Sequence, residues 1–188
     1  MSLATLTQVK DYMGIAVTRL NPETDNLISD VIDRISTMIE TYCDRTFTST
    51  EHTEYYDGMG VPYFYTNNYP ITSVSGIWDD MNWEWQDGTL LAAADYRISE
   101  DNRRIRKKSG YFMESFENIK ITYTAGYSTL PYDLSHVCIE EVVRVYKHKS
   151  DPGVYSKTVG NDSVERNQLD LLPSTLVVLN NYRRLGIY

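Results

Sequence analysis

The chain has 188 residues, 41% hydrophobic and 23% charged, with a formal net charge of −8. That is enough chain for one packed domain, or for a core with one large insertion, and no apolar run approaches the roughly 20 residues of a membrane-spanning helix. The acidic balance argues against a protein that grips a nucleic-acid backbone by bulk charge, although a surface past which DNA must slide is well served by it.

Thr5, Leu6, Thr7 and Gln8 fit a capping box, with Thr5 as N-cap and Gln8 reaching back. Leu6, Val9, Tyr12 and Met13 share one apolar face, and Gly14 suits the residue just past the helix end. So short a helix must dock on something. Asn21, Pro22, Glu23 and Asp25 then open a longer helix, since Pro suits the first turn and acids suit its dipole. Leu27, Ile28, Val31, Ile32, Ile35, Met38, Ile39, Tyr42 and Cys43 mark its buried stripe, to about Arg45. The other face is polar, through Ser29, Asp30, Asp33, Arg34, Ser36, Thr37 and Glu40.

From 46 to 126 the character changes. All three tryptophans lie there, β-branched residues are common, and Asp57-Gly58, Asn67-Asn68, Asn82, Asp87-Gly88 and Asp101-Asn102 punctuate the run. Strands are expected at 53–56, 73–78, 96–98, 104–106 and 119–124, with hairpin tips at Asp87-Gly88 and Asp101-Asn102. The spacing suits an antiparallel meander or small sandwich. Helical periodicity returns with Leu134, Val137, Cys138, Glu141, Val142, Val145 and Tyr146, capped by Asp133 or Ser135 and stopped by Asp151, Pro152 and Gly153. Residues 154–171 are polar and read as a loop or loose hairpin. Pro173 and Ser174 open a last helix carrying Leu176, Val177, Leu179 and Tyr182, followed by an apolar Ile187-Tyr188 tail. The expected fold is therefore α+β: a bundle of about four helices, from segments 1–45 and 127–188, with an antiparallel β insertion at 46–126 between helices two and three.

No phosphate-binding loop, nucleophile elbow or zinc-protease motif occurs. Asp133, Ser135 and His136 crowd one helix turn, where a nucleophile, base and orienter would have poor mutual geometry. Cys43 and Cys138 fall on apolar helix faces and read as small buried hydrophobes, and His52, His136 and His148 share no ligand spacing. Accordingly no catalytic, metal-binding or cofactor-binding residue is expected. Glu140 and Glu141 point about 100° apart on a helix and read as solvated or salt-bridged. The basic run Arg103, Arg104, Ile105, Arg106, Lys107, Lys108 reads as a charged edge strand and hairpin end, which guards against aggregation, rather than as a nucleic-acid or acidic-partner contact, since no aromatic residue interleaves with the charges. Trp78, Trp83, Trp85, Tyr63, Phe64, Tyr65 and Tyr69 suit a β core, a protein interface or sugar stacking. Strand alternation at 81–85 puts Trp83 and Trp85 on one face. A start lacking a basic and then an apolar stretch is no secretory signal, and two cysteines make no disulfide scaffold, so synthesis and use in a cytoplasm are expected.

Four phrases carry a resemblance. Leu6 to Ile15 (LTQVKDYMGI) resembles the first helix of the head–tail connector, or adaptor, proteins of long-tailed bacteriophages. So does the long helix from Asp25 ending in Tyr42, Cys43, Asp44 and Arg45. The third is Ile121 to Tyr127 with Leu130, Pro131, Tyr132, Asp133 and Leu134, a strand, a Gly turn and a helix start. The fourth is Leu172-Pro173 with Leu179, Asn180, Asn181, Tyr182, Arg183 and Arg184. They span almost the whole chain in the family's order, and the long strand-rich interval is similar to the family's larger subgroup. The resemblance implies a non-enzymatic virion protein without cofactor. It would form a homo-oligomeric, twelvefold ring in the virion neck, assembled in the host cytoplasm, binding the portal protein and a tail or further neck protein while DNA passes through. It also implies a portal contact at Tyr182, Arg183, Arg184, Leu185, Ile187 and Tyr188, and a channel or inter-subunit loop at Lys157, Asn161, Asp162, Glu165 and Arg166. The rivals are another neck or tail-completion protein, and a carbohydrate-binding module using the Trp83/Trp85 face.

Overall fold

The computed structural model describes residues 2–16, 21–148, 156–159, 162–165 and 171–184. It is an α+β chain: four helices, with the strands of two small antiparallel sheets inserted between helices two and three. The chain divides into two compact units, residues 1–44 with 130–184, and residues 45–129.

The first unit is helical. α1 (Leu6–Tyr12) begins with the capping box read from the sequence, Thr5 and Gln8 each satisfying the other's backbone N–H. It ends at Met13, and Gly14 follows at φ 70°, a conformation that costs glycine little. α2 (Pro22–Cys43) is capped by the Asn21 side chain and stops at Asp44 in the left-handed region. Of its expected stripe, Ile28, Ile32, Ile35, Ile39 and Cys43 are buried, Val31, Met38 and Tyr42 half-buried and Leu27 exposed, while Ser36, expected on the polar face, is buried where its hydroxyl accepts from the Leu3 N–H. α3 (Tyr132–Lys147) buries Leu134, Val137, Cys138 and Val142, and α4 (Pro173–Asn180) buries Leu179. Each fully buried aliphatic side chain contributes about 1.5–3 kcal/mol relative to exposure, so these stripes hold the bundle together. A partly buried ion pair at 2.7 Å, Lys10 to Asp25, ties α1 to α2. α3 is not capped as expected: Pro131 occupies the N-cap without a side-chain bond, Asp133 accepts from the Leu134 N–H instead, and Ser135 is buried. β7 (Ser156–Val159) and β8 (Asp162–Glu165) pair antiparallel as a hairpin within the polar segment 154–171.

The second unit stacks two sheets on one core. β1 (Thr50–Gly58), β3 (Ile71–Asp79) and β6 (Ser115–Ala125) form one sheet, with β6 in the middle. β2 (Tyr63–Tyr65), β4 (Tyr96–Ile98) and β5 (Arg104–Lys107) form the other, in the order β2-β5-β4. Phe64 and Ile105 of the second sheet pack with Ile71, Ile77, Ile119, Ile121, Tyr123 and Phe112. Two expectations change. The basic run forms a central strand, not an edge, because buried Ile105 pins β5 between β2 and β4. Asp87-Gly88 is no hairpin tip: Asp87–Thr89 is a 3-10 turn in the crossing from β3 to β4, which lie in different sheets. Asp101-Asn102 does sit at the turn joining β4 to β5, with Asn102 at φ 50°.

Buried protons make stability fall at alkaline pH. Burial pushes the Cys138 thiol up to about 11 from 9.0, with Ser36 Oγ 3.8 Å from its sulfur. Burial also raises the Tyr56 and Tyr123 phenols, followed by the nearby Glu54 carboxylate that both hydroxyls bond. Each folded group holds its proton more tightly than the unfolded chain does. Stability is therefore fully present below pH 9.0 and declines as pH rises toward 11, first through Cys138. The urea midpoint should drop between about pH 7.5 and about pH 10.5, and Cys138→Ala should flatten the first part of that drop.

Candidate interaction surfaces

A cluster of exposed large apolar residues gathers where β1 and β3 end and β6 begins. Gly58 of β1 pairs with Ser115 of β6, and Asp79 of β3 with Ile119. The loops leaving that end expose Met59 (65%), Met81 (51%), Trp83 (54%) and Met113 (44%), the start of β6 exposes Phe116 (65%), and Tyr111 is exposed as well. Clusters of exposed large apolar groups mark interaction sites, and methionine suits surfaces that adapt to a partner. The bordering charges are acidic and exposed: Asp57, Glu84, Glu114 and Glu117.

A buried polar network shapes this tip. Asn118 is fully buried; its Oδ1 accepts from the Gly58 N–H at 2.7 Å, and its Nδ2 donates to Asp79 Oδ1 at 2.8 Å and to the Met113 carbonyl at 3.0 Å. Asp79 also holds Lys107 Nζ at 2.6 Å. A side chain at Gly58 would collide with the Met113 carbonyl, so glycine is required there. Asp80 builds the Trp83 loop: its carboxylate accepts from the N–H groups of Asn82 and Trp85, both at 2.9 Å. Those donors, the Asn82 N–H foremost, hold its carboxyl below the usual range.

The loop corrects the expected alternation. Trp83 and Trp85 have φ of 56° and 54°, left-handed values incompatible with a strand, because Asp80 takes the N–H groups a ladder needs. The two rings have different neighbours. Trp83 Nε1 donates to the Phe116 carbonyl at 3.1 Å, at the exposed tip. Trp85 lies 5.6 Å from the Tyr55 ring, and Lys120 Nζ is 5.7 Å from its centroid and 4.9 Å from that of Trp78. Phe64 and Tyr69 are buried in the β unit. Sequence reasoning singled out Trp83 but missed Met59, Met113 and Phe116, which only the strand register brings together. Their one local signal was apolar residues in loops beside Gly58, Gly60 and Gly110.

The proposed portal residues split. Tyr182 donates to both Asp133 carboxylate oxygens, at 2.7 and 2.9 Å. The Arg183 guanidinium lies 5.4 Å from the Tyr42 ring centroid, and Arg184 Nη1 is 3.3 Å from Asp44 Oδ2. These three therefore fasten the chain after α4 to its own bundle. Leu185, Ile187 and Tyr188 lie outside the described residues. Of the loop residues, Lys157 pairs with Val164, Asp162 with Val159 and Glu165 with Ser156, while Asn161 and Arg166 lie outside the described residues. Asp133, Ser135 and His136 are not linked to one another by a hydrogen bond among the described residues; His136 stacks on Tyr132 at 5.7 Å and sits 3.5 Å from Glu140. No group of three His, Cys, Asp or Glu side chains able to hold a metal occurs among the described residues.

Residues 2–185 match a family described as head completion protein. The chain belongs to the head completion protein family. Its fold is also that of a chain in the neck of an empty gene transfer agent particle, computed with C6 symmetry: TM-score 0.62 at 14% identity, covering 97% of this chain and 90% of that one. A chain of the native gene transfer agent virion gives 0.61 at 16% identity, and one from the native neck computed with C12 symmetry gives 0.58 at 16%, with the same coverage. No curated protein sequence matches. The resemblance to head–tail connectors carried by the four phrases agrees with this head completion family.

Proposed function

We propose that this head completion protein is one subunit of a ring connector, seated between the portal vertex and the tail of a tailed phage or phage-like particle, with DNA passing through the ring. The family match over residues 2–185 carries the reading. Supporting it, the structurally similar chains come from necks described with sixfold and twelvefold symmetry. A net charge of −8 suits a duct that must not hold DNA. The C-terminal segment from Tyr182 to Tyr188 is the proposed portal contact, and the segment 154–171 faces the channel or the next subunit. The apolar tip, with its acidic border, docks a neighbouring neck protein that presents an apolar socket with basic groups around it. A sugar-stacking platform is disfavoured, because Trp83 and Trp85 have different neighbours.

Electron micrographs of the protein mixed with its purified portal test the ring; closed rings on the portal vertex are expected. Failure to bind portal, together with tailed infectious particles from a deletion strain, overturns the reading. Trp83→Ala with Phe116→Ala tests the tip. Both side chains are more than half exposed, so the melting transition should barely move, while affinity for one purified neck neighbour falls by about 2 kcal/mol or more, roughly 30-fold. Unchanged affinity for both the portal and the tail-side protein would remove the tip from the mechanism.

A further inference from the structure

The second sheet has a face that neither the core nor the tip uses. Its register sets Tyr63 opposite Arg106, Arg106 opposite Arg97, and Tyr65 opposite Arg104. Alternation sends Phe64, Ile105 and Ile98 toward the core and these five side chains to the other side. Arg97 and Arg106 are exposed, Tyr63 is 37% exposed, and Arg104 and Tyr65 are half-buried. The Arg104 guanidinium lies 5.3 and 5.7 Å from the Tyr63 and Tyr65 ring centroids. Among the described residues none of the three arginines has a carboxylate within ion-pair distance. Asp101, at the β4–β5 turn, is held below the usual range first by the Ser99 hydroxyl and then by weaker pulls that include Arg104 and Arg103.

Two properties of this face ask for a partner. Like charges directly opposite each other weaken a sheet, and Arg97 and Arg106 are direct cross-strand partners. A face kept only for solubility would intersperse signs. Its paired positions carry arginine and tyrosine, residue types enriched in protein interfaces, and exposed Lys108 extends it where its N–H bonds the Asp95 carbonyl. A nucleic-acid backbone is the weaker occupant because the whole chain carries −8.

The complementary surface lies on the same chain. The solvent face of α2 shows Glu23, Leu27, Asp30 and Asp33, all exposed, with Leu27 at 38%. Glu23 and Asp30 flank Leu27 one turn to either side, while Arg106 lies directly opposite Tyr63 and Arg104 one pair further along the same strand. Asp33 accepts from Ser2 Oγ at 2.6 Å, and Arg34 is the one cation beside them on that stretch. Glu23 to Asp33 spans about 15 Å of helix, against about 10 Å across three strands, so a helix can lie across the sheet.

We infer that the Arg97–Arg104–Arg106–Tyr63 face of one copy docks the acidic face of α2 on the next copy. The two patches differ, so the contact is heterologous and propagates head to tail. Closure into a ring rests on the connector reading; the contact itself does not.

The test is a charge swap on the full-length chain, followed by sedimentation velocity and by micrographs with portal. Arg97→Glu with Arg106→Glu, and separately Glu23→Lys with Asp30→Lys, change only exposed side chains; the first pair should leave the melting curve unchanged, and the second should lower it slightly, because Glu23 lies in the first turn of α2. Each double variant alone should associate at least about 30-fold more weakly than wild type, with wild-type association weakening at high salt. Mixing the two variants should restore assembly, in alternating order, because each then presents the sign its neighbour lacks. Wild-type-like assembly by either variant, or failure of the mixture, overturns the inference while leaving the connector reading standing. If wild type itself forms no assembly, with or without portal, both fall. If the arginine variant assembles normally but loses binding to a duplex or single-stranded oligonucleotide, the face belongs to nucleic acid and the inference is wrong.

Discussion

Replacing Asn118 with leucine should cost the β unit about 3–5 kcal/mol, the largest loss expected from any single polar substitution in it. The volume hardly changes, so the cost is polar. The Gly58 N–H, the Met113 carbonyl and Asp79 Oδ1 each lose a partner at 3.0 Å or less, at a site with no exposed surface. One orphaned buried group costs about 1–3 kcal/mol, and Asp79 is charged, which raises its share. The extra apolar burial of leucine offsets only part of this. Aspartate should be no milder, because it sets a second carboxylate against Asp79. Tryptophan fluorescence during urea unfolding is a clean readout, since Trp78, Trp83 and Trp85 all lie in this unit. A loss below about 1 kcal/mol, the worth of one ordinary hydrogen bond, would show that the network is not what holds the strand ends together. The functional consequence follows from position: the same side chain ties together the segments bearing Met59, Met113 and Phe116, so partner binding at the tip should weaken before the unit unfolds.

What was legible in the sequence depended on whether the signal was local. The isoleucine ladder of α2 repeats at helical spacing, and it lies buried as that spacing requires. The Thr5 capping box is a four-residue pattern and appears intact. β4 covers 96–98 as expected because alternation and the Asp101-Asn102 turn bound it on one side. Elements fixed by distant pairing were harder. β5 looks like an edge because its charges are local and its two neighbours are not. Trp83 and Trp85 alternate in sequence, but Asp80, a side chain that competes for backbone N–H groups, decides their backbone. The short β2 was hidden among tyrosines that also suited an interface. Glu141 looked solvated or salt-bridged beside Glu140, although it shares the Leu134–Val142 stripe; it is ion-paired and fully buried, and its bond to the Leu172 N–H, a partner 31 residues away, was not legible in the sequence.

That glutamate carries the second large effect. Glu141→Ala should destabilise the helical unit by about 3–5 kcal/mol, as expected for breaking a buried, hydrogen-bonded ion pair. Oε2 holds Arg144 at 2.7 and 2.8 Å, and Oε1 accepts from the Leu172 N–H at 2.6 Å. Leu172 is the N-cap of α4 and has no side-chain cap of its own, while Pro173 brings no N–H. Glu141 therefore does from α3 what a capping-box glutamate does within one helix, and it sets negative charge at the positive end of α4. Glu141→Gln keeps a carbonyl oxygen for Leu172 but gives up the charge, so it should cost about 1–2 kcal/mol. Urea unfolding followed by far-UV circular dichroism ranks the two variants; equal stabilities would sink the capping account. Their order also bears on the proposed portal contact, because α4 leads directly into Tyr182, Arg183 and Arg184, which the bundle holds through Asp133, Tyr42 and Asp44. With α4 loosened, those three lose the frame that orders them. Portal binding should then follow the same ranking, nearly intact in Glu141→Gln and lost in Glu141→Ala, at temperatures where both remain folded.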